Sequence, residues 1–340
     1  MNTVSNHSPM LPNRPSIRIS PRFFLILLSG ICLILSKPSD LEAQAPEDWK
    51  AMSINLEDVE YPYPVSYMNM NTMGKDVRMA YMDVPASGEA NGRAVVLMHG
   101  LNFFGEYWTG TIEALRSEGF RVIVPDQIGF GRSSKPIMPY SFQKKVANTH
   151  QLLDKLGIDK AAIVGHSMGG MVATRFAFSY PESTTRLVLV NMIGKRDFRL
   201  VRPWQSTDEV YESELNRTYE SIRQFVENYY VEWDPASEKY IRIHYGWTLS
   251  ADWPRLAMVR ALNRQMVYSQ PVVYEFPHVQ AQTLILSGRE DGPDFADLAR
   301  QTAEAIPDAE LILLENVGHN PHLEASEQFH RELIRFLNSP

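Results

Sequence analysis

The hexapeptide Gly165-His166-Ser167-Met168-Gly169-Gly170 sets a serine between glycines spaced as in G-x-S-x-G. A serine hydroxyl is a poor nucleophile at neutral pH. It attacks a carbonyl only with a base to take its proton, a third group to orient that base, and N–H donors for the oxyanion. The glycine spacing predicts a tight strand-to-helix turn that holds the serine oxygen clear of the backbone. Its flanks agree: Ala161-Ala162-Ile163-Val164 is a short apolar run, and residues 171–180 carry a helical apolar period.

Nine histidines compete for the role of base. His7 lies near the N-terminus, and His166 is expected to point away across the turn. His150, His244, His278 and His330 fall in expected helices or connectors, where packing or surface roles are the plainer reading. His319, in Val317-Gly318-His319-Asn320-Pro321-His322, follows the last expected strand and is the candidate base. The acid should share its edge of the sheet. Ser287-Gly288-Arg289-Glu290-Asp291-Gly292-Pro293-Asp294 follows the penultimate strand; Asp291 is the first choice, with Glu290 and Asp294 as alternatives. The oxyanion donors expected are the amides of Met168 and of Leu101, with Asn102 second to Leu101. All these positions sit on loops after strand C-termini, where open parallel sheets bind ligands.

The elements that must position them read as follows. Residues 65–70 and 77–83 alternate as a hairpin around Met73-Gly74-Lys75. Strands are expected at 94–98, 122–125, 161–164, 187–190, 283–287 and 310–314, and helices at 107–119, 141–156, 171–180, 295–306 and 326–337. Such alternation predicts an α/β fold with a mostly parallel central sheet flanked by helices. The alternation breaks at about 195–277, where 208–230, 238–247 and 254–268 read as helices, an inserted helical cap.

Composition narrows the partners. A formal net charge of −7 and no basic run in the body of the chain exclude nucleic acid as an expected partner. Residues 1–45 read as a signal peptide or N-terminal anchor, with an apolar run at 23–35 and the small-x-small pattern Ala43-Gln44-Ala45, although Pro46 fits cleavage after Ala45 poorly. The body of the chain is then 46–340, expected in a periplasmic or extracellular space and touching membrane only if the leader stays. The single cysteine, Cys32, lies in that leader, so no disulfide is expected beyond it. No metal-spaced cluster or phosphate-cradling loop is evident, and no cofactor is expected.

Taken together, His99-Gly100, the segment from Asp126 to Pro136, the elbow, Gly288 to Asp291 and Gly318-His319 resemble the α/β-hydrolase superfamily over nearly all of residues 60–340. The order serine, acid, histidine is that family's order. The Asp126 segment and Pro321-His322-Leu323-Glu324 resemble the branch holding epoxide hydrolases, haloalkane dehalogenases, C–C bond hydrolases and many esterases. The resemblance implies that His99, Asp126, Gly129, Gly131 and His322 shape loops. Epoxide hydrolases and dehalogenases attack with aspartate; the serine here removes those activities. The function this implies is hydrolysis of a small to medium apolar carboxylic ester through an acyl-enzyme on Ser167. C–C bond hydrolysis, or another serine-dependent reaction such as that of lactonases, thioesterases, aminopeptidases or cofactor-free haloperoxidases, is the alternative. A non-catalytic binder is the reading from another class. The aromatic-rich insertion, with Tyr229, Tyr240 and Trp247 among others, leans toward an apolar small-molecule substrate.

Overall fold

A computed structural model describes residues 44–340; the leader expected over residues 1–45, Cys32 included, falls outside the described residues but for its last two positions. Among the described residues no helix is long and apolar enough to cross a membrane.

Among the described residues eight strands form one sheet: β1 (Val65–Thr72), β2 (Lys75–Val84), β3 (Ala94–Met98), β4 (Arg121–Pro125), β5 (Ala161–His166), β6 (Thr184–Val190), β7 (Thr283–Gly288) and β8 (Ala309–Leu314), in the order β1-β2-β4-β3-β5-β6-β7-β8. β1–β2 and β2–β4 pair antiparallel, and every pair from β4 to β8 is parallel. The β1–β2 turn uses Met73 and Gly74, both left-handed at φ 51° and 73°, the geometry that matches strand twist in a two-residue hairpin. β3, β5 and β7 are buried along their whole length. That burial explains their unbroken apolar runs: helices cover both faces, so neither set of side chains meets water. Val95, Leu97 and Val164 pack with Trp108, Leu115 and Phe329 on one face. Val96, Met98 and Ile163 pack with Phe142, Val172 and Phe176 on the other.

Crossover helices complete the parallel units, and their ends follow from local chemistry. Helix Phe142–Lys155 starts at Ser141, whose side chain accepts the Lys144 N–H at 3.1 Å. The elbow helix, Met168–Ser179, packs so tightly that two glycines are obligatory. A Cβ at Gly165 would lie 2.2 Å from the Gly169 carbonyl oxygen, and one at Gly169 would lie 2.2 Å from the Met98 oxygen. Gly169→Ala therefore pushes the elbow off β3. The expected result is a cost of about 1–3 kcal/mol or more, read as a lower urea midpoint, with hydrolytic activity falling alongside.

Between β6 and β7 the chain forms helices at Phe198–Val201, Thr207–Leu215, Tyr219–Glu227, Glu238–Thr248 and Trp253–Ser269. The single helix expected over 208–230 is in fact two. Thr218 breaks it with a capping box: its Oγ1 accepts the Ser221 N–H at 3.1 Å, and the Ser221 Oγ accepts the Thr218 N–H at 3.0 Å. The break turns Arg217 toward Glu214, which is buried and also bonded by Arg260 and Arg264. Burial alone would raise the Glu214 carboxyl, but the three guanidiniums outweigh it and hold it well below the usual carboxylate range. Removing that carboxylate would strand buried guanidiniums, a loss of about 3–5 kcal/mol.

Candidate active site

Strand β5 ends at His166 and the chain turns at once into a helix, so Ser167 adopts φ 56°, ψ −119°. A left-handed serine is uncommon and strained. Its backbone is held on both sides: Ser167 N–H donates to the Val190 carbonyl at 3.0 Å, while the Ser167 carbonyl accepts from Gly170 at 3.0 Å and Ile193 at 3.3 Å. Met168 opens the helix, so its N–H has no acceptor within it. A Cβ built at Gly100 would lie 3.1 Å from the Ser167 Cβ, which places the loop after β3 directly against the serine. Leu101 follows on that loop, and its amide takes no acceptor among the described residues.

His319 and Asp291 come together from the loops after β8 and β7. The His319 Nδ1 lies 2.7 Å from the Asp291 Oδ2. A carboxylate there selects the tautomer with hydrogen on Nδ1 and leaves the Nε2 lone pair open. Glu290 instead accepts the Val317 N–H at 3.1 Å, and Asp294 pairs with Arg196 at 3.3 Å. Both sequence alternatives to Asp291 are thus engaged elsewhere. The Ser167 hydroxyl makes no hydrogen bond among the described residues, and such bonds often close only when substrate binds.

Asn191, at the end of β6, ties the two loops together, and sequence reading passed over it. Its Nδ2 donates to Asp291 Oδ2 at 2.9 Å and to the Gly318 carbonyl at 3.0 Å, and its Oδ1 accepts the Gly288 N–H at 2.9 Å. The one signal available was an asparagine where a strand meets a loop, a residue that tolerates the φ of 38° found there. Asn191→Ala should lower kcat by about 10-fold to 100-fold with little change in KM, because it loosens the acid and the base loop without touching substrate. Steady-state kinetics on any turned-over substrate checks this.

Beneath the serine runs an ordered chain of donors. Gly100 N–H donates to the Tyr107 hydroxyl at 3.0 Å, that hydroxyl meets His166 Nδ1 at 3.0 Å, and His166 Nε2 meets the His319 carbonyl at 2.8 Å. Satisfying every group requires Tyr107 O–H to donate to Nδ1 and Nε2–H to donate to the carbonyl. His166 therefore supports the base loop from below.

The helical insertion grips both loops from above. Tyr229 stacks on His319 at 4.6 Å between centroids and accepts the His319 N–H on its carbonyl at 2.7 Å. Asn102 donates to the Tyr229 hydroxyl at 2.7 Å, accepts from Arg260 at 3.0 Å, and receives His244 Nε2 on its carbonyl at 2.9 Å. Asn102 is thus a clamp point through its side chain and carbonyl, and these bonds leave its backbone amide, like that of Leu101, without an acceptor among the described residues.

Of the residues implied to shape loops, Asp126 and His99 do so through hydrogen bonds. Asp126 accepts from Tyr61 at 2.6 Å, Gly105 at 2.7 Å and Arg132 at 2.8 Å. His99 accepts the Gln127 N–H at 3.0 Å and donates to the Gly100 carbonyl at 2.8 Å. Burial disfavours the imidazolium at His99, His166 and His322, and pushes all three below the ordinary value of 6.5; at His166 the neighbouring His319 and His322 add to it. The unfolded chain takes up these protons below 6.5 while the folded chain resists them. Stability is therefore full above about pH 6.5 and declines as pH falls below it, which a series of thermal midpoints from neutral to acid pH will show.

A family model described as the alpha/beta hydrolase fold matches residues 93–326, the span holding the elbow, the acid loop and the base loop. The chain belongs to the α/β-hydrolase family. A solved structure of a probable hydrolytic enzyme from Pseudomonas aeruginosa PAO1 is 39% identical to this α/β-hydrolase, covering 86% of it and 99% of its own chain at a TM-score of 0.82. A 2-hydroxy-6-oxononadienedioate/2-hydroxy-6-oxononatrienedioate hydrolase of Paraburkholderia phymatum is 26% identical, over 80% of this hydrolase and 94% of its own length. A 2-hydroxy-6-oxo-6-phenylhexa-2,4-dienoate hydrolase of Comamonas testosteroni is also 26% identical, over 72% and 88%.

Proposed function

We propose that this chain is a serine-dependent hydrolase that cleaves a C–C bond beside a ketone carbonyl. The observation that supports the chemistry is the 2.7 Å contact of His319 Nδ1 with Asp291 at the same sheet edge as Ser167. Ser167 Oγ adds to the carbonyl carbon and its proton passes to His319 Nε2. The oxyanion is received by the Met168 and Leu101 amides. The substrate reacts as its keto tautomer, in which the carbon beside the ketone has already gained a proton from the 2-hydroxyl. As the tetrahedral adduct collapses, the C–C electron pair moves through the conjugated C=C to the 2-oxo oxygen, and the resulting dienolate takes the proton from His319 to leave as the dienol. Water, deprotonated by His319, then releases the acyl group from Ser167 as a carboxylic acid.

The choice of bond departs from the ester expected from the sequence. It is supported by the two relatives named for 2-hydroxy-6-oxo-dienoate hydrolysis, which align over most of both chains. Ester cleavage would use the same residues through the same acyl-enzyme, so a substrate comparison discriminates. Purified protein is assayed on 2-hydroxy-6-oxo-6-phenylhexa-2,4-dienoate and on p-nitrophenyl esters of varied length. The expected result is a kcat/KM on the dienoate at least about tenfold above the best ester. Turnover of esters alone would return the reading to an esterase.

A further inference from the structure

The loop leaving Asn191 continues past the nucleophile and supplies charges that the proposed reaction leaves unused. Ile193 bonds the Ser167 carbonyl at 3.3 Å. From there the chain walls a pocket of about 300 Å³ whose lining includes Lys195, Arg202, Phe198 and Phe295 together with Asp291 and His319. Three cations and two carboxylates face it. Both carboxylates are committed: Asp291 to His319 and Asn191, Asp294 to Arg196. Lys195 and Arg202 form no salt bridge among the described residues. The Lys195 ammonium has three N–H donors. One meets the Met192 carbonyl at 2.6 Å, and the group sits 3.0 Å from the centre of the Phe295 ring. The Arg202 guanidinium lies 4.2 Å over the Phe198 ring.

We propose that this pocket is an anion subsite of the active centre, in which Lys195 and Arg202 take a carboxylate on the substrate while Phe198, Phe295 and Leu298 take the hydrocarbon beside it. The proposal rests on Ser167 being the nucleophile, because that fixes which end of the substrate reaches the elbow. A half-buried ammonium with one carbonyl partner is poorly compensated; burial pulls Lys195 down to about 7, against the pull of Asp291. A ligand carboxylate supplies both the missing acceptor and the missing countercharge. The aromatic faces already carrying the two cations give the ligand's apolar part a wall to lie on. The substrate is therefore amphiphilic rather than simply apolar, with its anionic end on the Asp291 side of the base.

Binding to the Ser167→Ala protein tests this without any turnover. Calorimetric titration with phenylbutyrate and with its uncharged amide, at low salt and slightly below neutral pH, is expected to show the carboxylate bound about tenfold more tightly. Adding Lys195→Gln should remove most of that preference and leave amide affinity unchanged, and Lys195→Arg should keep it. Equal affinities for the two ligands, or a Lys195→Gln change that weakens both alike, would overturn the subsite. Failure of Ser167 as nucleophile would appear instead in covalent labelling of the wild-type protein, so the two failures are distinguishable.

Discussion

Ser167→Ala lowers kcat on every substrate the protein turns over, by a factor on the order of 10⁴ to 10⁶, with fold and stability intact. The size follows from what is lost. Without the oxygen no acyl-enzyme forms, and the residual rate comes only from the oxyanion donors and from substrate binding. Stability should hold because the strain at φ 56° belongs to the backbone, which Val190, Gly170 and Ile193 hold through main-chain bonds. The hydroxyl itself bonds nothing among the described residues, so its removal leaves no partner unsatisfied. Stopped assays on wild type and variant, with matched thermal melts, check both halves.

Asp291→Asn should cost about 10⁴ in kcat, nearly as much, for a different reason. The carboxylate accepts from His319 Nδ1 and from Asn191 Nδ2 on one oxygen. An amide there must either turn its NH₂ toward these two donors or present a neutral oxygen. Turned, it donates to Nδ1 and drives the proton to Nε2, where it blocks the base. Unturned, it no longer compensates the imidazolium formed when Ser167 is deprotonated. Either way the loss falls on kcat rather than on substrate affinity. A matching rise in KM would instead point to a substrate contact.

The contrast between these residues and Asn191 shows what the chain discloses in one dimension. Strands β3, β5 and β7 are legible because burial on both faces forces continuous apolar runs. The elbow is legible because close packing admits only glycine at positions 165 and 169. Asp291 and His319 could be named from their loops, since strand order dictates which edge those loops reach. Asn191, Tyr229 and the Tyr107–His166 relay could not. Their partners lie far away in sequence, and an asparagine or tyrosine carries no local pattern that announces such a contact. Within the insertion, helical periodicity ran through residues 208–230 and concealed the Thr218 cap, a local signal outweighed by the surrounding apolar spacing.

The insertion also changes how the site is understood. It reaches the base through Tyr229 and the loop after β3 through Arg260 and His244. The Glu214 cluster that fixes Arg260 therefore lies on the path between lid stability and the geometry around Leu101. The charges at Lys195 and Arg202 add a polar demand to a pocket whose wall also carries the rings of Phe198 and Phe295.

The most direct measurement of the central claim, that Ser167 is a nucleophile activated by His319 and Asp291, is the intact mass and peptide map of the protein after treatment with a fluorophosphonate. One adduct on Ser167, absent in Ser167→Ala and formed far more slowly in Asp291→Asn, is the predicted result. No adduct at all, or an adduct on another residue at an unchanged rate in both variants, would contradict it.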